Sequence, residues 1–236
     1  MSNPFGAPSQ TMSGAAAESA RVASFLQKVY GWMFVGLGIT ALTALFVASS
    51  PALLTFLQQN RLLFWLVLLA PLGFVLYLSA KVDTMAPSTA AIVFSVYAAV
   101  NGISLSFIFL AYTSASIAST FLSTSATFGA MALYGTITKR DLTGVGQFAM
   151  MGLFGVIIAS IVGIFWQNDM FQFVLSVCGV LVFTALTAYR AQQLRAMALA
   201  LPEGKVGAYA VVGALGLYLA FINLFLMLLR LFGRRR

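Results

Sequence analysis

At 236 residues, 61% hydrophobic and only 8% charged, the chain cannot cover a water-facing surface, since an ordinary globular domain carries about 25% charged residues. Its net charge of +8 comes from Lys and Arg standing singly between long apolar runs, with Arg234, Arg235 and Arg236 as the one dense cluster; this excludes the basic stripe of a nucleic-acid surface and fits membrane topology. Cys178, between Val177 and Gly179, is the only cysteine and reads as a small buried hydrophobe, which removes an intramolecular disulfide, and the absence of histidine removes His-based metal sites and Ser-His or Cys-His nucleophile pairs.

In chain order, residues 1–24 are rich in Ser, Ala, Gly and Pro and show no basic-then-apolar leader pattern, so they are expected to be a flexible or interfacial tail. Ala15 to Tyr30 is weakly amphipathic and fits a helix lying at the membrane surface, or a disordered tail in its first half. Seven charge-free runs follow, near Val29–Ala48, Leu62–Ala80, Thr89–Ala111, Ser116–Tyr134, Val145–Trp166, Phe171–Tyr189 and Val206–Leu229, each long enough to cross hydrocarbon. The third and fourth are so close that they must form a tight hairpin. Residues 25–232 thus form an all-α integral membrane domain of seven transmembrane helices, with residues 233–236 as a basic tail.

Basic loops tend to remain cytoplasmic, and Arg21, Lys28, Lys81, Lys139, Arg140, Arg190, Arg195 and Lys205 all fall on the side of the N-terminus. The expected location is therefore the bacterial inner membrane, multi-pass, with the N-terminus cytoplasmic. Arg61 falls on the outer side, and Arg230 and Arg234 to Arg236 dissent from the rule there.

Small residues recur at helical spacing as Gly155, Ala159 and Gly163 in the fifth run and as Gly213, Gly216, Ala220 and Asn223 in the seventh, faces on which helices can approach closely. Pro71 interrupts the second run, as is common in membrane helices. All five acids, Glu18, Asp83, Asp141, Asp169 and Glu203, lie in the tail or the loops, so no carboxylate is available at mid-membrane for a transported ion. No catalytic residue, metal ligand or cofactor site is assigned, and the chain does not read as an enzyme. The polar groups that remain in the runs include Tyr97, Gln147 and Tyr218, with Asn223, Tyr189, Thr187, Thr184 and Asn101 as candidate lining of a polar path.

The segments NGISLSFIFLAYTSASIASTF from Asn101, LYGTITKRDLTGVGQF from Leu133 and LYLAFINLFLMLLRLFG from Leu217 closely resemble bacterial members of the Bax inhibitor family, as do FLQKVYGWMFVGLGITALTAL and VLVFTALTAY. The resemblance runs from about Phe25 to the C-terminus. It implies a seven-helix fold in which the last helix is enclosed by the other six. It also implies association with calcium leak, with protection against stress and, in some bacterial members, with membrane-protein quality control.

Two positions depart from the family pattern. Where the family reads TAYD this chain reads TAYR, with Arg190 at the acid, and where it reads LYLDFINLF this chain reads LYLAFINLF, with Ala220 at the second acid. Those paired aspartates form the pH-responsive latch of calcium-conducting members, so the resemblance carries over the fold without the latch. Two readings stay open: a divergent leak for calcium or another cation, and a non-conducting partner that modulates a membrane protease or stress response. In both, the lipid bilayer is the surrounding partner and nucleic acid is not one.

Overall fold

Within hydrocarbon, main-chain amides can be satisfied only by one another, and the apolar runs of this chain form helices accordingly. The computed structural model describes residues 9–81, 84–166 and 168–235. The helices are α1 (Ser9–Ala48), α2 (Pro51–Gln59), α3 (Arg61–Lys81), α4 (Pro87–Leu105), α5 (Ile108–Ala111), α6 (Ser114–Ile137), α7 (Thr143–Phe165), α8 (Asp169–Ala200) and α9 (Val206–Phe232). Local chemistry starts several of them. Pro51 and Pro87 occupy first-turn positions of α2 and α4. The Thr113 hydroxyl and the Asn168 side chain accept the amides of Ser116 and Phe171 at the starts of α6 and α8.

Six of these helices are long and apolar enough to cross a membrane: α1 from Ala16, α3, α4 continued through Ala111, α7, α8 and α9. The expected fourth crossing corresponds to α6, whose 24 residues span about 36 Å but carry many Ser and Thr hydroxyls that dilute its apolarity. Helix α1 begins at Ser9, so the segment expected as a tail or surface helix is continuous with the first long helix from there; residues 1–8, Asp83 and Arg236 lie outside the described residues. The hairpin expected between the third and fourth runs is the dipeptide Tyr112–Thr113, between α5 and α6.

Helix α9 is the most deeply placed, 61% of its most apolar stretch being buried against at most 33% in the other membrane-length helices. It packs against α8, α1, α6 and α4 and more lightly against α3, while α7 packs chiefly on α8. Close approach requires small residues. A Cβ at Gly135 of α6 would collide with the Ala188 carbonyl of α8. On α7 the packed face is Gly146, Ala149, Gly152 and Val156, whereas Gly155, expected on a contact face, is exposed with open space around it.

Outward faces are apolar, with Phe34, Leu76, Phe148, Phe154 and Leu181 exposed as lipid-facing residues would be. Cys178 is exposed too, contrary to its expected burial, because it shares with Phe173, Val174 and Leu181 the side of α8 that points away from the bundle.

Polar contacts collect at the two ends. At one, the Arg21 guanidinium donates to the Leu201 carbonyl and Arg195 Nη1 donates to the Thr136 carbonyl at 3.0 Å. There Gln192 accepts the Leu142 amide at 2.9 Å and donates to the Arg140 carbonyl at 2.7 Å. At the other end, the Thr113 amide donates to the Arg234 carbonyl at 3.1 Å, and the Arg234 amide donates to Ser116 Oγ at 2.9 Å. This places the C-terminal arginines at the end opposite Arg21 and Arg195.

Candidate functional site

Helices α1, α4 and α9 meet at a buried polar node. Thr40 of α1 donates its hydroxyl to the Ala98 carbonyl of α4 at 2.9 Å, and its Oγ1 lies 2.7 Å from the Tyr218 hydroxyl of α9. Asn101 Nδ2 of α4 donates to that same Tyr218 hydroxyl at 2.7 Å. The Thr40 proton is committed to Ala98, so Tyr218 donates to Thr40 and accepts from Asn101, giving a chain of bonds that all point one way. The rings of Tyr97 and Phe94 stand edge-on to Tyr218, with centroids 5.5 and 5.8 Å away. Thr40, Tyr97 and Tyr218 are at most 3% exposed, so water cannot substitute for these bonds. The node is neutral, satisfied and tightly packed.

The α8–α9 face is different. Arg190, near the end of the α8 hydrophobic stretch, is half-buried, and a Cβ built on Gly216 would come within 3.1 Å of its Nη1. The absence of a side chain at Gly216 is what seats the guanidinium against α9. Ala220 follows one turn later, 3% exposed. A small cavity of about 110 Å³ beside Arg190 is also lined by Gln193, Tyr209 and Gly213. Among the described residues no carboxylate faces this guanidinium. The guanidinium at this point offers donors alone, which suit an anion or a carbonyl oxygen rather than a metal ion. Among the described residues there is also no cluster of His, Cys, Asp or Glu able to hold a metal.

The candidate path residues do not converge on one channel. Asn101 belongs to the node. The Thr187 hydroxyl donates to the Phe183 carbonyl of its own helix at 2.7 Å, and Asn223 Nδ2 to the Leu219 carbonyl of its own helix at 2.8 Å. The Tyr189 ring lies against Gly146 of α7. Thr184 Oγ1 is buried without a hydrogen-bond partner among the described residues. Sequence reasoning missed Thr40, because a lone mid-run hydroxyl carries no local sign of a tyrosine 178 residues away. It also missed Gln192, whose amide fastens the α6–α7 loop on both sides. In that exposed loop, the Thr143 hydroxyl and amide bond Asp141 at 2.6 and 2.9 Å and hold its carboxyl below the usual range.

The family model described as inhibitor of apoptosis-promoting Bax1 matches residues 22–236. The inner membrane protein YbhL of Escherichia coli strain K12 is 43% identical over 220 residues, covering 92% of this chain and 94% of that one. An uncharacterized protein of Borreliella burgdorferi is 40% identical over 214 residues, covering 90% and 92%, and the uncharacterized membrane protein SpyM3_0260 of Streptococcus pyogenes 36% over 213 residues, covering 89% and 92%. With membrane-length helices, a match over nearly its whole length and relatives of this identity, the chain belongs to the Bax inhibitor family.

Proposed function

We propose that this protein is a seven-span member of its family in the bacterial inner membrane, N-terminus cytoplasmic and last helix enclosed by the others. Its activity would be a slow leak without the paired-acid calcium latch. The observation that carries this reading is the guanidinium of Arg190 seated on Gly216, one turn from Ala220, where an acid pair would otherwise face itself. A cation at that point repels calcium and cannot share a proton with a neighbouring carboxylate, so neither calcium selectivity nor acid gating is expected. Location and orientation are supported by the name of the Escherichia coli relative and by the basic end that carries Arg21, Arg140 and Arg195. The seventh crossing would be α6, whose ends align with the ends of the bundle through Arg195 and Arg234.

The test is calcium flux in proteoliposomes across a pH series. Wild type should give low, pH-independent flux. Arg190→Asp with Ala220→Asp should give flux that falls as protons bind, and each single change should not, because Ala220→Asp alone pairs with Arg190 and Arg190→Asp alone lacks its partner. A folded double variant with no pH-dependent flux would remove the latch reading. Complete silence of the wild type towards calcium and other ions would favour a non-conducting partner of a membrane protease.

A further inference from the structure

Helices α1 and α6 lean on α9 from two sides without substantial contact with each other. Between them runs a groove of about 750 Å³, with Tyr30, Phe34, Leu37, Phe121 and Leu133 on its walls and Phe221 of α9 at its floor. It is hollow on both sides: a Cβ at Gly38 of α1 or Gly129 of α6, both lining residues, would meet no heavy atom within 4 Å. From Tyr30 to Ala41 along α1 the groove runs about 16 Å, and from Phe121 to Thr136 along α6 about 22 Å. That is the depth of roughly one leaflet of a 30 Å hydrocarbon core.

The ends of the groove differ chemically. At Phe121 and Ala41 the lining is apolar. At the other end the Tyr30 hydroxyl pairs with the Thr136 side chain, and the exposed Arg195 donates one N–H to the Thr136 carbonyl at 3.0 Å. The other guanidinium donors of Arg195 remain at this end, beside the groove-lining Thr136. An apolar slot one leaflet deep, with a fixed cation at its interfacial end, is complementary to one molecule in particular.

We propose that this groove binds a membrane phospholipid with an anionic headgroup, one acyl chain lying along Phe221 and the phosphate at Arg195. The inference does not depend on whether the bundle conducts. A lipid in this position fills the space between α1 and α6 over Phe221.

The test uses the full chain, delipidated in detergent and titrated with phosphatidylglycerol or with phosphatidylcholine of the same acyl chains, bound lipid being counted by native mass spectrometry. One phosphatidylglycerol should be retained about fivefold more tightly than phosphatidylcholine. Gly129→Phe, which fills the slot from the open side, should weaken both lipids roughly tenfold. Arg195→Gln should erase the headgroup preference and leave chain binding intact. Should Gly129→Phe lower the unfolding temperature, Gly38→Leu blocks the same slot from the opposite wall. Equal affinity of wild type for the two lipids, or unchanged phosphatidylglycerol binding in folded blocked variants, would overturn the proposal. A dimer of wild type lost in the blocked variants would assign the groove to a second copy instead.

Discussion

At residues 216 to 218, α9 presents two opposed faces, since positions two apart on a helix lie about 200° from each other. On one, the Tyr218 hydroxyl is locked between Thr40 and Asn101 and ringed by aromatic side chains. On the other, a guanidinium lies over Gly216 with no acid among the described residues to neutralise it. The first face holds the bundle together by hydrogen bonds that join α1, α4 and α9. The second costs the bundle stability, and a group kept at a cost is where function is to be sought.

The largest expected effect breaks the first face. Tyr218→Ala empties a fully buried site and strands Asn101, and should destabilise by about 3–5 kcal/mol in thermal unfolding followed by size-exclusion in detergent. Tyr218→Phe keeps the ring and removes only the hydroxyl, for about 0.5–1.5 kcal/mol. If the two variants lost stability equally, the node would act through its bonds rather than its packing.

On the opposite face the sign should reverse. Arg190→Leu removes a half-buried charge without stranding a partner, so stability should stay level or rise by up to about 2 kcal/mol. A clear loss in the same assay would mean that Arg190 is held by a stabilising contact, and the contrast between the faces would collapse.

The smallest effect sharpens the contrast by placing titration outside the bundle. The Asp141 carboxyl is depressed in the folded chain, so its contribution is present above the ordinary carboxylate value and is lost as pH falls through its folded value, below about 4. Amides at residues 143–146 should then exchange faster in hydrogen-exchange measurements, and Asp141→Asn should abolish that acid dependence. Acid sensitivity persisting in Asp141→Asn would point to another group.

How much of this was legible beforehand depends on whether a property is local. The absence of carboxylates from the apolar runs is local, and the runs themselves became helices because lipid permits little else. Helix α6 shows where apolarity alone falls short, since its Ser116, Thr120 and Thr124 face is buried against other helices and need not be greasy. Which small residues make contacts was not legible. Gly152 and Gly155 are both glycines on α7, yet only Gly152 meets a neighbour, Val182 of α8. Among the site residues, Arg190 and Ala220 were found by comparison with a family pattern, and Asn101 by its polarity within an apolar run. Thr40 was not, because its role is defined by chain segments 58 and 178 residues distant.

The one-way hydrogen-bond chain also has a consequence for biogenesis. Thr40 can satisfy itself on Ala98 as soon as α1 and α4 associate, but the Asn101 amide finds its acceptor only 117 residues later, on α9. Until that helix arrives, the earlier helices carry an unmet amide facing a vacant slot. A partly inserted chain is thereby chemically marked as unfinished, and the arrival of Tyr218 erases the mark.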